Sequence, residues 1–497
     1  MADEPGTKGV PTRKGVLMTN LANSLDRAHQ HALGGDFSPG LKSASSAFKP
    51  GEKDADQRLG NTAIKKQQQK LLAPVATSEF SRRLWDLQKV LWEVSDNLRF
   101  QGCHRWRAAG SNAHLVWNKS GGEKSARWGG LQTSSSVWCS PLSAAAIART
   151  RQAQIEKALD KWTETPEHSV VFMTLTLRHK KSHNLGKLWD ALSYCWRGIT
   201  GTASWRGGVR MVGDKNRFGV EHFVKSVELT HGLKNGFHPH LHVVLFLNKV
   251  LSDDELAVLR NRFYERWSNA ALRKGLEAPT KVRGIDVKQV VSGAESLKKL
   301  ASYLAKGNVG KLSYEVADGA LKIGKGDNRT MFQVLGDLGR KKTARDLFIW
   351  REYEQASTGR RQISWSKGAK DFFGVADLDD VAAELLDEKA AEKSSDYIVA
   401  LVDGIEWDKI KSDVDKRLFV VEYVSHSQSL EQAVKRAGRA LDLVGVGTID
   451  LADPIEIKPK CDDDLPTHSQ RFSERLRNSV LEPAEIQSGV GKQLMIV

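Results

Sequence analysis

The chain has 497 residues, of which 40% are apolar and 27% charged, a composition typical of an ordinary globular protein. It contains no apolar run of about 18 residues, and no apolar stretch follows its charged N-terminus, so we expect neither a membrane span nor a secretory signal. Its four cysteines are too few and too scattered for a disulfide framework. The sequence therefore predicts a cytoplasmic protein with reduced thiols.

Charge is distributed unevenly along the chain. The formal net charge is +15, yet residues 377–466 carry 22 acidic and only 11 basic side chains. The remainder is therefore strongly basic, which indicates a surface for a polyanion such as nucleic acid. Charge alone does not decide this, because an ordinary solvated surface can be equally basic.

The N-terminal part is predicted to be an arm followed by helices. Residues 1–75 are rich in Gly, Ser, Lys and Gln without sustained periodicity, which favours a flexible basic arm. Within residues 76–165, apolar side chains recur at helical spacing over Ser78–Phe100, and a second helix is expected over Ala144–Trp162. A polar, Gly- and Ser-rich stretch separates the two, so this subdomain is predicted to be mostly helical.

Residues 166–312 change to a pattern of alternating strands and helices. The expected elements are the strand Val170–Leu177, a helix through Leu185–Leu192, the strands His222–Thr230 and His238–Leu247, the helix Ser252–Lys274, the strand Gly284–Val291 and the helix Ala294–Ala305. This order predicts an α+β fold, in which a central antiparallel sheet packs against flanking helices.

The C-terminal part is predicted to differ from this domain. Residues 313–376 form an extension to it, and residues 377–497 are an acidic C-terminal segment. Within that segment, Tyr397–Val402 and Leu418–Val424 have the composition of strands, which predicts a small α/β module. Nothing in the sequence indicates a function for this module.

Three histidines lie close together at the start of one predicted strand: His238, His240 and His242. Side chains two residues apart on a strand share a face, so His240 and His242 can both contact one metal ion. Neutral imidazole is a common ligand of divalent metals. His238 has the same parity and is either an alternative ligand or a DNA contact. The competing interpretation is a group of surface histidines that binds no metal.

The predicted hairpin supplies a third candidate ligand. If its turn is centred on Lys234, Glu228 lies opposite His240 on the neighbouring strand. This pairing puts the Glu228 carboxylate on the same sheet face as the two imidazoles. A register slip of one residue would turn Glu228 away and leave it a solvated carboxylate.

Tyr303 and Lys306 lie three residues apart on the last predicted helix of the domain, and therefore on one face. A cation at this distance can lower the pKa of the phenol or hold a phosphate oxygen near it. The alternative is that Tyr303 packs in the core and Lys306 is solvated. Tyr264 is the nearest competing tyrosine, although its aromatic neighbours favour a packing role. Glu295, two turns before Tyr303, can activate water or simply face solvent.

Three segments, in this order, resemble the three motifs of the rolling-circle plasmid replication initiators, single-tyrosine members of the HUH endonuclease superfamily. They are Phe172–His179, His238–Leu247 and Tyr303–Lys306. Arg329–Leu335 and Gly359–Gly368 are similar to segments of actinobacterial members, so the resemblance reaches about residue 375. It implies that the domain over residues 166–312 is an HUH nicking domain.

The resemblance also implies a reaction. Mg²⁺ or Mn²⁺ is expected at His240, His242 and Glu228, and Tyr303 is expected to attack DNA to give a 5′-phosphotyrosyl enzyme and a free 3′-OH primer. The substrate is expected to be single-stranded or hairpin origin DNA, with a host helicase and polymerase as further partners. The protein would then act in the cytoplasm, associated with the plasmid or nucleoid. No oligomeric state is predicted.

Basic and aromatic side chains in and after the first motif are candidate DNA contacts. Phosphates can be bound by Arg178, His179, Lys180, Lys181, Arg206 and Arg210, and Trp205 can stack a base. The alternative for each is an ordinary surface or packed residue.

The chain departs from its relatives before the first motif. Many relatives carry a cysteine-rich element there that can hold zinc, whereas Ser134, Ser140 and Ser143 stand at its cysteine positions here. Cys103 and Cys139 remain. Serine is a poor zinc ligand, so a closed four-ligand zinc site is not expected.

Other functional classes fit parts of the pattern. An HUH transposase or relaxase would use the same chemistry on another substrate, and a DNA-binding regulator would need no catalysis. A zinc hydrolase can also place His-x-His on a strand. Termination is open as well, because Lys299 stands where some relatives have a glutamate that activates water.

Overall fold

Two antiparallel sheets and the helices packed on them make up the described part of the chain. The computed structural model describes residues 79–120, 123–290, 297–305, 328–384, 396–449 and 453–457. All of these residues belong to one compact unit. The predicted arm over residues 1–75 lies outside them. The architecture confirms the α+β class expected from the order of strands and helices.

Helices and strands are numbered here in chain order. The helices are α1 Glu79–Val94, α2 Leu98–Gly102, α3 Pro141–Thr163, α4 Leu185–Thr200, α5 Ala203–Arg206, α6 Asp214–Arg217, α7 Asp253–Arg273, α8 Lys281–Gly284, α9 297–305, α10 Met331–Lys341, α11 Ala344–Ser357, α12 Ala369–Phe373, α13 380–384, α14 Gly404–Asp408, α15 Val414–Ser425 and α16 Leu430–Leu443. The strands are β1 Ala113–Ser120, β2 Glu123–Gly129, β3 Ser169–Thr176, β4 Val220–Gly232, β5 Gly236–Leu247, β6 Ile285–Val290, β7 Asn328–Thr330, β8 Ile363–Trp365, β9 Asp396–Val402 and β10 Ile455–Ile457. Over the described residues, no helix has the length and apolar character needed to cross a membrane.

The central sheet contains all the strands predicted between residues 166 and 312. Its strand order is β6-β3-β5-β4-β7, and β8 pairs with β4 as well. Every second side chain of β3, such as Met173, is buried in the main core, while Thr174 and Thr176 face the opposite side. The apolar and β-branched runs thus form the strands that their composition predicts.

A three-residue turn fixes the register of β4 against β5. Gly232 pairs with Gly236, and the three residues between them form the turn. Gly236 has φ of 75°, a left-handed conformation that favours glycine at this position of such hairpins. Glu228 lies opposite His240. The register predicted from a turn centred on Lys234 is therefore confirmed.

Different helices cover the two faces of the central sheet. One face packs on α4 and α7, with Leu192 and Trp267 buried in the main core. The other face packs on α3, α9 and α12 through a separate cluster that includes Leu159 and Leu304. Near the start of β5, His240 on this second face is only partly buried. The second face is therefore the one that presents polar side chains to solvent.

A second sheet, in the order β10-β9-β1-β2, was not expected from the sequence. Its β1–β2 hairpin lies in the polar stretch before Pro141, inside the subdomain predicted to be mostly helical. Ala113, Leu115 and Trp117 alternate into a separate core, which is the period of a half-buried strand. The prediction missed this hairpin because only three apolar residues carry the pattern among many polar ones.

The acidic C-terminal segment contributes to this second sheet. The predicted strand Tyr397–Val402 is confirmed as β9, and it pairs with β1. The prediction of a strand over Leu418–Val424 is wrong, because these residues lie in α15, whose N-cap Asp413 accepts a hydrogen bond from the Lys416 amide. A short apolar run fits a buried strand or a buried helix equally well. The C-terminal segment therefore shares its sheet with the N-terminal hairpin.

Candidate active site

β4 and β5 bring Glu228, His240 and His242 onto one face of the central sheet. The Nε2 atom of His242 lies 2.9 Å from Oε2 of Glu228, and the two side chains are only 6% and 12% exposed. The ring centroids of His240 and His242 are 6.1 Å apart. The three residues singled out as metal ligands are thus neighbours, with two of them in direct contact.

Three β3 side chains that sequence reasoning missed complete this face. The hydroxyl of Thr174 lies 3.1 Å from Nδ1 of His242, and that of Thr176 lies 3.2 Å from Nδ1 of His240. Phe172 stacks on the His242 ring with a centroid distance of 5.7 Å. A hydrogen bond at Nδ1 fixes the orientation of an imidazole and leaves Nε2 for a ligand. The alternation of buried and less buried side chains along β3 could have placed Phe172, Thr174 and Thr176 on one face.

Helix α9 places Tyr303 over this group. The Ser226 hydroxyl donates a 2.9 Å hydrogen bond to the Leu304 carbonyl and ties α9 to β4. The Tyr303 hydroxyl lies 3.4 Å from Glu228 Oε2 and 3.4 Å from His242 Nε2, and the residue is 50% exposed. Tyr303 is therefore at the surface beside the candidate ligands rather than inside the core.

The competing tyrosine has a packing role. The Tyr264 hydroxyl donates a 2.8 Å hydrogen bond to the Pro279 carbonyl, and its ring packs against the main core. This core covers the other face of the sheet from Tyr303. Tyr264 is therefore a packing residue, whereas Tyr303 lies beside the candidate ligands.

The surroundings of Tyr303 raise the pKa of its phenol above the usual value. Burial contributes most, and the negative charge of Glu228 and its hydrogen bond with the phenol add to it. The expected lowering by Lys306 is not part of this result, because Lys306 and Glu295 lie outside the described residues. In this arrangement the phenol is held protonated.

The donor atoms suit a divalent cation, but they do not yet converge on one point. Two imidazoles and a carboxylate are ligands that Mn²⁺ accepts, and carboxylate is preferred by Mg²⁺. Within the described ranges, however, no group of three His, Cys, Asp or Glu side chains is close enough to form a ready metal site. His242 and Glu228 contact each other instead. Binding of a cation would require this direct contact between His242 Nε2 and Glu228 to open.

Comparison with known proteins identifies the family. The sequence profile of the replication protein family, Rep_1, matches residues 132–413, which is more than half of the chain and includes every described residue of this site. The chain belongs to the replication protein family. It is also 29% identical over 309 residues to "Protein rep" of Streptomyces lividans, an alignment that covers 52% of this chain and 67% of that protein. No solved structure matches it.

A basic rim continues from the site of this replication protein to the end of the sheet. His238 lies beside His179, with ring centroids 4.5 Å apart. Arg178 and Lys180 both form ion pairs with Glu277, at 2.9 Å and 2.6 Å, on the exposed surface. The structure thus gathers these predicted DNA contacts at one rim, although a carboxylate partly offsets their charge.

The remaining predicted DNA contacts are divided between two places. Lys181 is exposed on the loop after β3, near the rim. Arg206 is exposed at the end of α5, and Arg210 is exposed on the segment between α5 and α6. Trp205 is only 6% exposed and packs edge-on against Phe263, so the expectation that it stacks a base is corrected: it is a core residue.

The three serines expected at cysteine positions come together with Cys103 in a buried polar cluster. We call this group the serine cluster: Cys103, Ser134, Ser140 and Ser143. All four residues have no exposed surface. The Cys103 sulfur lies 3.4 Å from the Ser140 hydroxyl and 3.6 Å from that of Ser143, which is 3.1 Å from the Ser134 hydroxyl. Hydrogen bonds therefore link the side chains of the serine cluster. Cys139 lies apart and contacts Ser357.

A buried ion pair borders the serine cluster. His104 Nε2 lies 3.3 Å from the Ser143 hydroxyl and 3.5 Å from the Glu384 carboxylate, which is 1% exposed. Burial acts to lower the pKa of His104, but Cys103 and Glu384 outweigh it and raise the pKa to about 10. His104 is therefore charged at neutral pH, which compensates the buried carboxylate.

Proposed function

We propose that this replication protein initiates rolling-circle replication of a plasmid by nicking one strand of origin DNA with Tyr303. The observation that carries the proposal is the position of the Tyr303 hydroxyl, half-exposed and 3.4 Å from both His242 and Glu228. An adjacent base within reach of the hydroxyl can activate a tyrosine as a nucleophile. The family match and the similarity to a Streptomyces Rep protein support a role in replication.

Mg²⁺ or Mn²⁺ would be held by His240, His242 and Glu228. A bound divalent cation supplies polarisation of the scissile phosphate and offsets the negative charge that builds up on it. Thr174 and Thr176 would keep both imidazoles turned toward the cation.

The chemical step is a transfer of the phosphodiester to tyrosine. The Tyr303 oxygen bonds to phosphorus while the bond from phosphorus to the 3′ oxygen breaks. The phenol proton leaves toward the Glu228 carboxylate, which is 3.4 Å away, and the leaving 3′ oxygen takes a proton from water. The products are a 5′-phosphotyrosyl enzyme and a 3′-OH that primes synthesis. Lys306 would hold a phosphate oxygen, and Glu295 would activate water in a later step.

The test is formation of a protein–DNA adduct that survives SDS. The protein is mixed with labelled single-stranded DNA covering the plasmid origin and with Mn²⁺. We expect an adduct with the wild type and none with Tyr303→Phe or with chelator, whereas Tyr264→Phe, the matched control, should form it normally. An adduct that persists in Tyr303→Phe would contradict the proposal.

A relaxase or transposase would use the same residues and pass this test. The family match favours the replication role among these classes. A DNA-binding regulator without catalysis would form no adduct with either metal.

A further inference from the structure

The segment between α5 and α6 forms a small projecting turn with an apolar tip, which we call the apolar turn (residues 207–213). Gly208 and Met211 pair through backbone hydrogen bonds of 2.9 Å and 3.2 Å, which places Val209 and Arg210 at its end. Val209 is fully exposed, Val212 is 60% exposed and Met211 is 44% exposed. Three exposed apolar side chains on one short turn are unusual for a surface that only faces water.

The base of the apolar turn is rigidly anchored. Gly213 lies so close to the Trp205 carbonyl that a Cβ atom would come within 2.5 Å of it. Asp214 follows, has no exposed surface, and forms ion pairs with Arg262, at 2.7 Å, and with Arg266. Trp205 is buried at the other end of the turn. Both ends of the apolar turn are therefore anchored in the packed helical layer.

The charge around the tip is positive. Arg206, Arg210 and Arg217 are exposed near it, and Lys215 is partly exposed. Asp214 is the acidic residue of this segment, and its charge is already engaged by two arginines of α7. Exposed arginines therefore lie before, within and after the apolar turn along the chain.

We propose that the apolar turn is a wedge for duplex DNA, a proposal whose biological setting rests on the proposed function. Proteins that deform DNA insert apolar side chains between base steps from the minor groove, while flanking basic residues bind the phosphates. The narrow tip, its fixed base and the flanking arginines match these requirements. Val209 and Met211 would enter the duplex, and Arg206 and Arg210 would bind the backbone.

The experiment uses the full chain and a short mixed-sequence duplex that contains 2-aminopurine, whose fluorescence rises when a base is unstacked. In Val209→Ser/Met211→Ser/Val212→Ser we expect the fluorescence rise to disappear and the affinity for the duplex to fall roughly tenfold, with an unchanged salt dependence. In Arg206→Gln/Arg210→Gln, the slope of log affinity against log salt should fall by about two. Ile405→Ser, an exposed apolar position beside acidic residues, is the matched control and should behave as the wild type.

Normal unstacking by the serine variant would overturn the wedge. So would loss of binding to vesicles of anionic lipid in that variant with duplex binding intact, since the tip would then be a membrane contact. The adduct of the wild type with single-stranded origin DNA is measured in parallel. If the wild type forms the adduct and the serine variant still unstacks DNA normally, the wedge proposal alone is refuted. If the wild type forms no adduct but the serine variant loses unstacking, the nicking proposal is refuted and the wedge proposal stands.

Discussion

The hydroxyl of Tyr303 lies 3.4 Å from the carboxylate of Glu228, which itself lies 2.9 Å from His242. Together with burial, this negative charge raises the pKa of Tyr303. Burial and the Glu228 carboxylate thus both favour the protonated phenol.

Replacing Glu228 tests this relationship directly. In Glu228→Gln without metal, the pKa of Tyr303 should fall, but it should stay above the usual value because burial, the larger cause, remains. The measurement is an NMR titration of protein labelled at the tyrosine ring carbon that bears the hydroxyl. Glu277→Gln, which removes a carboxylate of the basic rim, should leave the titration of Tyr303 unchanged. An identical Tyr303 titration in Glu228→Gln and wild type would show that Glu228 does not act on the phenol.

The two β3 threonines should control metal affinity. Thr174→Val/Thr176→Val keeps the side-chain shape but removes the hydroxyls that contact Nδ1 of His242 and His240. Loss of such orienting groups reduces metal affinity or activity by roughly ten- to a hundredfold. Mn²⁺ affinity is measured by titration calorimetry. Thr163→Val, at the end of α3, is the control for the loss of a threonine hydroxyl. If Thr174→Val/Thr176→Val binds Mn²⁺ as tightly as Thr163→Val does, the two threonines do not orient the imidazoles.

His231 should make the protein less stable in acid. Burial, aided by Arg329 and Arg345, lowers its pKa from 6.5 to about 4. Since the folded pKa is below the unfolded one, this contribution to stability is complete above pH 6.5 and is lost as the pH falls toward 4. The free energy of unfolding by urea should therefore drop between pH 7 and pH 4 by up to about 3 kcal/mol more in the wild type than in His231→Gln. Equal drops would exclude His231 as the cause.

The serine cluster should become a zinc site when its three serines are replaced by cysteine. The sulfur and hydroxyl oxygen atoms of the cluster lie 3.1 to 3.6 Å from their neighbours. These distances are near the ~3.8 Å between sulfurs of a tetrahedral zinc–thiolate site. Ser134→Cys/Ser140→Cys/Ser143→Cys should bind one Co²⁺ with an intense thiolate-to-metal absorption, and zinc should raise its melting temperature. The same variant carrying Cys103→Ala should bind more weakly. A triple variant without the cobalt absorption would show that the four positions do not converge as described.

Local rules were sufficient to predict the core of the candidate site. The turn around Lys234 fixes the register of β4 and β5, and strand parity then puts Glu228, His240 and His242 on one face. These inferences use only spacing within one hairpin. The position of Tyr303 over that face needed the family resemblance, because nothing local distinguishes a docked tyrosine from a packed one.

The features that were missed depend on contacts between distant segments. Thr174 and Thr176 orient the imidazoles only because β3 pairs with β5, which the sequence does not state. Trp205 was predicted to stack a base because its packing partner, Phe263, lies on α7, far away in the sequence. The second sheet pairs β1 with β9 from the opposite end of the chain, and no pattern within either strand identifies its partner.

Locating the attached nucleotide on the protein tests whether Tyr303 is the residue that becomes joined to the cut DNA. The adduct with single-stranded origin DNA is trimmed with nuclease, digested with trypsin and sequenced by mass spectrometry. Because Lys299 and Lys306 flank Tyr303, we expect the modified peptide to span Leu300–Lys306 and to carry its nucleotide on Tyr303. A nucleotide on Tyr264, or on any other residue, would contradict it.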